Sequence, residues 1–207
     1  MKIKVCGITN VEDALLCEAC GADALGFIFY PKSKRYIKPD AAREIIKLLS
    51  PFTMKVGVFV NESSEDINRI ASETRLNAVQ LSGDESSEDL RKIFFQIIKA
   101  FRINNDFDFS IIEKYKSAAY LLDAFSLNDF GGTGRKFNWD LIPNHLKNKI
   151  ILAGGVSTDN IETIFREIKP AAVDLSSSLE KEPGRKDKGK VEEFFKKFNY
   201  LRRQGWV

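Results

Sequence analysis

The sequence predicts an α/β protein, a single-domain (β/α)8 barrel of the TIM type that spans residues 1–207. Short runs of β-branched residues alternate with amphipathic stretches, and eight such units follow one another at intervals of roughly 26 residues. No linker, low-complexity segment or change in composition divides the chain. Eight strand and helix units in one uninterrupted chain are typical of a closed parallel barrel.

Apolar runs predict the eight strands, at residues 3–6, 24–29, 55–60, 78–81, 96–101, 120–123, 150–153 and 172–175. Apolar residues at helical spacing predict helices between them, at residues 11–19, 39–49, 64–74, 87–93, 107–115, 139–146, 158–168 and 189–203. Two of these helices have clear start signals, because Ser64 and residues 157–159 carry side-chain oxygens that can cap free backbone amides.

Composition limits the class of protein and its partners. A chain of 207 residues with 43% hydrophobic content is long enough to bury a sizeable core. Its 32 basic and 29 acidic residues are spread along the sequence, so we expect no nucleic-acid partner. Three cysteines, an odd number, indicate a reducing compartment, and we expect a cytoplasmic protein. Neither a signal peptide nor a membrane span is recognisable, so no membrane association is expected.

Side-chain alternation along the strands predicts where polar residues gather. If Cys6, Gln80, Asp123 and Asp174 point into the barrel, their apolar neighbours point outward onto the helices. Each of these polar residues lies near the carboxyl end of its strand, where barrels of this type have their active sites. An open doubly wound sheet also places ligands at carboxyl strand ends, and the count of eight units favours the barrel.

Two neighbouring segments predict a phosphate site. Gly154 and Gly155 follow the seventh strand, and Ser176 and Ser177 follow the eighth. Glycines let backbone amides approach an anion, and barrels commonly bind phosphate at these two loops. A third glycine-rich stretch, residues 131–135, is expected to form a flexible loop that closes over a substrate. A plain turn is the alternative interpretation of each glycine run.

Several residue types leave two interpretations open. Cys6 fits either a buried small hydrophobe or a catalytic thiol, and Asp174 either a helix cap or a sugar ligand. Cys17 and Cys20 have C-x-x-C spacing within a predicted helix, without a second ligand pair, which favours inert packing. The single histidine, His145, argues against a Ser-His-Asp triad and against a histidine-rich metal site.

Nearly the whole chain resembles the phosphoribosylanthranilate isomerase family of tryptophan biosynthesis. The resemblance is carried, in order, by residues 4–9 (KVCGIT), 26–37 (GFIFYPKSKRYI), 56–61 (VGVFVN), 79–83 (VQLSG), 122–123 (LD), 131–139 (GGTGRKFNW), 152–155 (LAGG) and 173–187 (VDLSSSLEKEPGRKD). The chain departs from the family pattern at Ser82, Asn138, Ser178 and Lys34, where family members commonly have His, Asp, Gly and Pro.

The resemblance implies an isomerase that converts N-(5-phosphoribosyl)anthranilate to 1-(2-carboxyphenylamino)-1-deoxyribulose 5-phosphate by an Amadori rearrangement. It implies that Cys6 is the general base, Asp123 the general acid and Arg35 the ligand of the anthranilate carboxylate. No metal or organic cofactor is expected. The thiol of a base must lose its proton, so we expect Lys4 to lower the pKa of Cys6, and Asp123 to have a raised pKa.

Three functions remain compatible with the residues themselves. Besides the isomerase, the barrel and phosphate loops fit another phosphosugar enzyme, such as an epimerase or synthase. A binding or regulatory protein that lost turnover is the third, and the presence of both Cys6 and Asp123 argues against it. A barrel of this size is compatible with a monomer or a homodimer.

Overall fold

The computed structural model describes residues 1–124 and 137–205, and it confirms the predicted closed barrel. Eight parallel strands follow one another around the barrel in chain order, and the last pairs with the first. The strands are β1 Lys2–Cys6, β2 Ala24–Ile28, β3 Met54–Phe59, β4 Ala78–Leu81, β5 Gln96–Ile103, β6 Ala119–Ala124, β7 Ile150–Leu152 and β8 Ala172–Leu175. The single-domain organisation of residues 1–207 stays a prediction.

Helices connect only some of these strands. They are α1 Val11–Cys20, α2 Pro39–Ile46, α3 Ser64–Thr74, α4 Asn144–Lys147, α5 Ile161–Thr163 and α6 Lys188–Arg203, and a π-helical turn, Ile164–Ile168, continues α5. Ser63 rather than Ser64 caps α3, because its hydroxyl accepts a hydrogen bond from the Asp66 amide. Within the described part of the chain, no helix combines the length and apolar character needed to cross a membrane.

The predicted helices at residues 87–93, 107–115 and 139–146 are largely 3₁₀ turns, at Asp89–Lys92, Phe109–Lys114 and Trp139–Leu141. Local side-chain hydrogen bonds explain the difference. Asp108 accepts from the Ser110 amide, Asn138 accepts from the Asp140 amide, and Asp89 accepts from the Ser86 amide. Such bonds compete with the regular helical pattern, so short turns replace full helices.

A small antiparallel hairpin that the sequence did not predict follows β8. Its strands are β9, Glu180–Glu182, and β10, Arg185–Lys186, and Gly184 between them has a φ of 81°. That left-handed backbone favours glycine, and it lets the chain reverse within two residues. The hairpin places both Glu180 and Lys186 in the protein interior.

Two apolar layers hold the barrel together and confirm the predicted alternation. The outer layer, between strands and helices, includes the outward neighbours of the predicted site residues, namely Ile3, Val5, Val79, Leu81, Tyr120, Leu122, Val173 and Leu175. A smaller cluster fills the barrel interior, and its members are Ala24, Val56, Ala78, Ile98, Leu121, Ile151 and Ala153. Because these residues occupy the interior below the carboxyl strand ends, the polar residues above them line an open mouth.

A buried ion pair joins the rim loops on one side of the barrel. Lys99 Nζ of β5 lies 2.8 Å from Glu85 Oε2 and donates to the Gly83 carbonyl at 2.7 Å. The other oxygen of Glu85 accepts from the amides of Asn61 and Gly83. Both charged side chains are almost fully buried, so removal of one leaves the other charge without a partner in a poorly solvated place.

We therefore expect Lys99→Met to lower the free energy of unfolding by about 3 to 5 kcal/mol, measured by urea denaturation. The matched control is Lys92→Met, at an exposed position seven residues earlier, where the backbone carbonyl accepts a hydrogen bond from Asn68. Equal stability of the two variants would contradict a structural role for the buried pair.

Candidate active site

A cavity of about 400 Å³ opens at the carboxyl ends of the strands. Most of the residues predicted for the site line it, namely Cys6, Arg35, Gln80, Asp123, Asp174 and Ser176. The lining residues do not include Gly154, Gly155 or Ser177. Cys6 and Asp123 thus face one space from β1 and β6, although they are far apart in the chain. The glycine-rich stretch at residues 131–135 lies outside the described residues.

Cys6 lies next to a buried ion pair. Lys4 Nζ lies 2.8 Å from Asp174 Oδ2, and the side chains are only 4% and 9% exposed. The register of β1 and β8 places Lys4 directly beside Asp174. Cys6 lies one inward position further along β1, and the charges of Lys4 and Asp174 both act on its thiol. A thiol, an ammonium group and a carboxylate therefore form one cluster at the end of these two strands.

Burial decides the direction of the pKa shift for the two acidic groups of this cluster, Cys6 and Asp174. It raises the pKa of the Cys6 thiol, and the positive charges of Lys4 and Lys186 oppose that rise without outweighing it. The predicted lowering of the Cys6 pKa is therefore wrong, although Lys4 acts in the predicted direction. Burial also raises the pKa of Asp174 against the effect of Lys4. The pKa of Lys4 is raised, because Asp174 and Cys6 outweigh its own desolvation.

Gly26 of β2 provides the space that the cluster needs. It is the register partner of Cys6, and a Cβ atom at this position would lie 2.7 Å from Cys6 Sγ and 3.2 Å from Lys4 Nζ. Any larger side chain would displace the thiol or the ammonium group. The glycine therefore permits both groups to point into the barrel.

Gly154 lies against the predicted acid rather than on the cavity wall. Its φ is 77°, and a Cβ atom there would lie 2.8 Å from Asp123 Oδ1 and 2.7 Å from the Ala124 amide nitrogen. The same carboxylate oxygen accepts a hydrogen bond from the Ala124 amide at 2.8 Å. The absence of a side chain at Gly154 thus allows β7 to approach the end of β6 closely.

Arg35 is held by a carboxylate. Its Nε lies 2.9 Å and 3.1 Å from the two oxygens of Glu180, and its Nη2 lies 2.7 Å from Oε2. The side chain is only 11% exposed, so Arg35 is not a solvent-facing charge. Glu180 also accepts from Lys186 Nζ at 2.9 Å. The pKa of Glu180 is lowered in spite of its burial, because both cations stabilise the carboxylate.

Three buried polar atoms of cavity-lining side chains have no hydrogen-bond partner among the described residues: Gln80 Oε1, Asp174 Oδ1 and Ser176 Oγ. Buried polar atoms in folded proteins are nearly always paired, so such a group at one cavity indicates a binding site for a polar molecule. The amide nitrogen of Gln80 donates to Ser82 Oγ at 3.1 Å, which leaves its oxygen toward the site. Ser82 stands where the family commonly has His, and it also lines the cavity.

Sequence reasoning missed some of the charged residues of the site. Arg102 lines the cavity at the end of β5, and its Nη2 lies 2.6 Å from Asp84 Oδ1. The strand was predicted to end at residue 101, and one further inward step along it would have identified Arg102. Glu180 and Lys186 had no local signal, because the hairpin that buries them was not predicted.

The cavity is also rich in positive charge. Lys32, Lys34, Arg35 and Arg102 all contribute to its lining. A parallel barrel with a thiol and a carboxyl group facing one basic cavity at its carboxyl end belongs to the class of enzymes that act on anionic phosphosugars by acid and base catalysis.

Comparisons with known proteins identify the family. The family model for N-(5'phosphoribosyl)anthranilate (PRA) isomerase matches residues 3–197, and the chain belongs to this family. An isomerase of that name from Geotalea uraniireducens is 48% identical over 197 residues, which cover 95% of this chain and 97% of the relative. One from Trichlorobacter lovleyi is 46% identical over 198 residues, with 95% and 97% covered.

Solved structures agree with this assignment. The phosphoribosyl anthranilate isomerase of Thermotoga maritima superposes with a TM-score of 0.89 at 42% identity, over 97% of this chain and all of that one. Another structure of such an isomerase, at 42% identity and a TM-score of 0.85, is a complex with reduced 1-(o-carboxyphenylamino)-1-deoxyribulose 5-phosphate.

The contact of Gly154 with Asp123 leads to a prediction. We expect Gly154→Ala to lower kcat about 100-fold, because the new methyl group displaces the carboxyl group from its position. Steady-state kinetics measure this effect. The matched control is Gly21→Ala, at another left-handed glycine whose added Cβ would meet no atom within 4 Å. A control that loses as much activity would show that backbone strain alone is responsible.

Proposed function

We propose that the chain catalyses the Amadori rearrangement of N-(5'-phosphoribosyl)anthranilate, with Cys6 as general base and Asp123 as general acid. The observation that carries the proposal is their common position on one cavity, on strands from different sides of the barrel. The family assignment supports the substrate, since relatives that cover most of the chain carry this name. The proposed role in the cell is a step of tryptophan biosynthesis.

The reaction needs one proton delivered and one removed. Asp123 donates a proton to the ring oxygen of the ribose while the bond from C1 to that oxygen breaks, and a Schiff base forms between C1 and the anthranilate nitrogen. The Cys6 thiolate then takes the proton from C2, and the electrons of that bond form the enolamine, which tautomerises to the ketose. The ring oxygen and C2 are both bonded to C1, so the acid and the base that act on them must face one cavity.

The other predicted residues would each bind a different group of the substrate. We propose that Arg35 binds the anthranilate carboxylate, since a guanidinium group held in a fixed plane suits two parallel hydrogen bonds. Gln80 and Asp174 would bind sugar hydroxyls through their unpaired oxygens. Ser176, Ser177, Gly154 and Gly155 remain the proposed phosphate site. Ser176 Oγ is already in the cavity, and the amides of the neighbouring loops would complete it.

The charge of the cavity supports a substrate with two anionic groups. Lys32 and Lys34 are exposed at the mouth, and Arg102 is half-buried deeper along the wall. Cations around a concave site raise the local concentration of an anion, here one with a phosphate and a carboxylate. We propose that these three residues attract the substrate before Arg35 binds it.

The proposal also covers the location, cofactors, partners and oligomeric state of the enzyme. We expect a cytoplasmic protein that needs no metal or cofactor and has no nucleic-acid or membrane partner. Either a monomer or a homodimer fits, and the isomerase of Thermotoga maritima, one of the similar solved structures, is described as dimeric.

The two catalytic roles can be tested separately. We expect Cys6→Ala and Asp123→Asn each to lower kcat for phosphoribosylanthranilate by about 10² to 10⁴, because one removes the base and the other the acid. Turnover is followed by loss of substrate fluorescence, and circular dichroism checks that the fold is intact. Near-normal turnover by either variant would remove the assigned role from that residue.

The raised pKa of Cys6 makes activity depend on pH. Only the thiolate accepts a proton, so kcat/KM should rise with pH as the cluster of Cys6, Lys4 and Asp174 loses a proton. Lys4→Met removes a cation that favours the thiolate, so we expect this rise to move to higher pH. Lys2→Met is the control, because Lys2 is exposed on the same strand and pairs with Asp23 at the surface. An unchanged pH profile in Lys4→Met would contradict the electrostatic role.

A further inference from the structure

The hairpin of β9 and β10 carries two buried charges that do not line the cavity. Glu180 is 6% exposed and Lys186 is 3% exposed. Their side chains form an ion pair, with 2.9 Å between Lys186 Nζ and Glu180 Oε1. Burial of both charges is costly, and such pairs are retained where they hold a specific arrangement.

Glu180 fixes the plane of Arg35. Three donor contacts of the guanidinium group, all between 2.7 and 3.1 Å, go to the two oxygens of this one carboxylate. The carboxylate is itself held, because it accepts from Lys186 and from the Gly184 amide. A guanidinium group that a rigid partner holds through two of its nitrogens has a defined plane and direction.

Lys186 joins the same unit to the end of β1 and to the loop after β8. Its Nζ donates to the Cys6 carbonyl at 2.7 Å and lies 3.4 Å from the Ser176 carbonyl. Gly7, the residue after Cys6, packs against Arg35 and Ser176, because a Cβ there would lie 2.6 Å from Arg35 Cδ and 3.2 Å from Ser176 Oγ. Three segments that line the cavity thus meet around one ionic group of Arg35, Glu180 and Lys186.

From these contacts we propose that Glu180 is a positioning residue that orients the Arg35 guanidinium group toward the carboxylate of the substrate. Glu180 does not touch the substrate itself, since it is absent from the cavity lining. Lys186 fixes Glu180 in turn and attaches it to the backbone of the base. The inference rests on the proposed function, because it assumes that Arg35 binds the anthranilate carboxylate.

Glu180→Gln tests the proposal, because glutamine keeps the shape of the side chain but removes the charge that grips Arg35. We expect KM for phosphoribosylanthranilate to rise about tenfold while kcat changes little, because the lost interaction concerns binding of the carboxylate. Glu182→Gln is the matched control, at an exposed glutamate of the same hairpin. It should leave KM and kcat at the values of the unaltered protein.

A pair of ligands separates positioning from a general loss of structure. We expect Glu180→Gln to weaken binding of reduced 1-(2-carboxyphenylamino)-1-deoxyribulose 5-phosphate about tenfold, and to leave unchanged the binding of the same compound without its carboxyl group. In an Arg35→Ala background the substitution should have no further effect on either ligand, because Glu180 acts through Arg35. Equal weakening of both ligands, or an undiminished effect without Arg35, would overturn the proposal.

Removal of one buried charge can destabilise the protein, so a second variant is needed. Glu180→Gln combined with Lys186→Met removes the anion and its buried cation together and should show the same selective loss for the carboxylated ligand. If it binds both ligands normally, the proposal is wrong. Failure of the proposed function is separately visible, because the unaltered protein would then not convert phosphoribosylanthranilate.

Discussion

The pairing of β8 with β1 closes the barrel and places Lys4 beside Asp174, 170 positions later in the chain. This ion pair is buried, and the thiol of Cys6 lies next to it. A buried charge that loses its partner costs several kcal/mol, so the two strands, the ion pair and the position of the thiol depend on one another. The position of the Cys6 thiol at the cavity therefore depends on closure of the sheet.

Inward side chains of these strands pack the barrel interior, and those at the carboxyl ends line the cavity. Small and branched side chains such as Ala78 and Val56 fill the interior, while Gln80 and Asp123 stand above it on the same inward face. The narrow interior has little room to spare at the rim, and Gly26 supplies the space that Cys6 and Lys4 need. The packed interior and the cavity lining therefore use successive inward positions of the same strands.

Burial holds charged side chains of the site in place and also affects the protonation of its thiol. Two buried cations near the cavity are held by carboxylates, Lys4 by Asp174 and Arg35 by Glu180, so their directions are fixed. The same lack of water raises the pKa of Cys6, although two ammonium groups are near it. A thiolate formed in such a place is a strong base, and its formation depends on the surrounding charges as a group.

Sequence alone determined the barrel, the inward direction of Cys6, Asp123 and Asp174, and the family. The barrel and the inward directions follow from local periodicity and from residue types at strand ends, and the family follows from the resemblance of its motifs; none of these needs knowledge of distant contacts. The turn at Asp108, where helical spacing predicted a helix, comes from local side-chain hydrogen bonds that the spacing does not reveal. Tertiary structure decided the rest, since the hairpin buries Glu180 and Lys186 without a local signal. The sign of the Cys6 pKa shift also required it, because desolvation depends on everything that packs around the thiol, whereas the sequence shows only which charges are near in the chain.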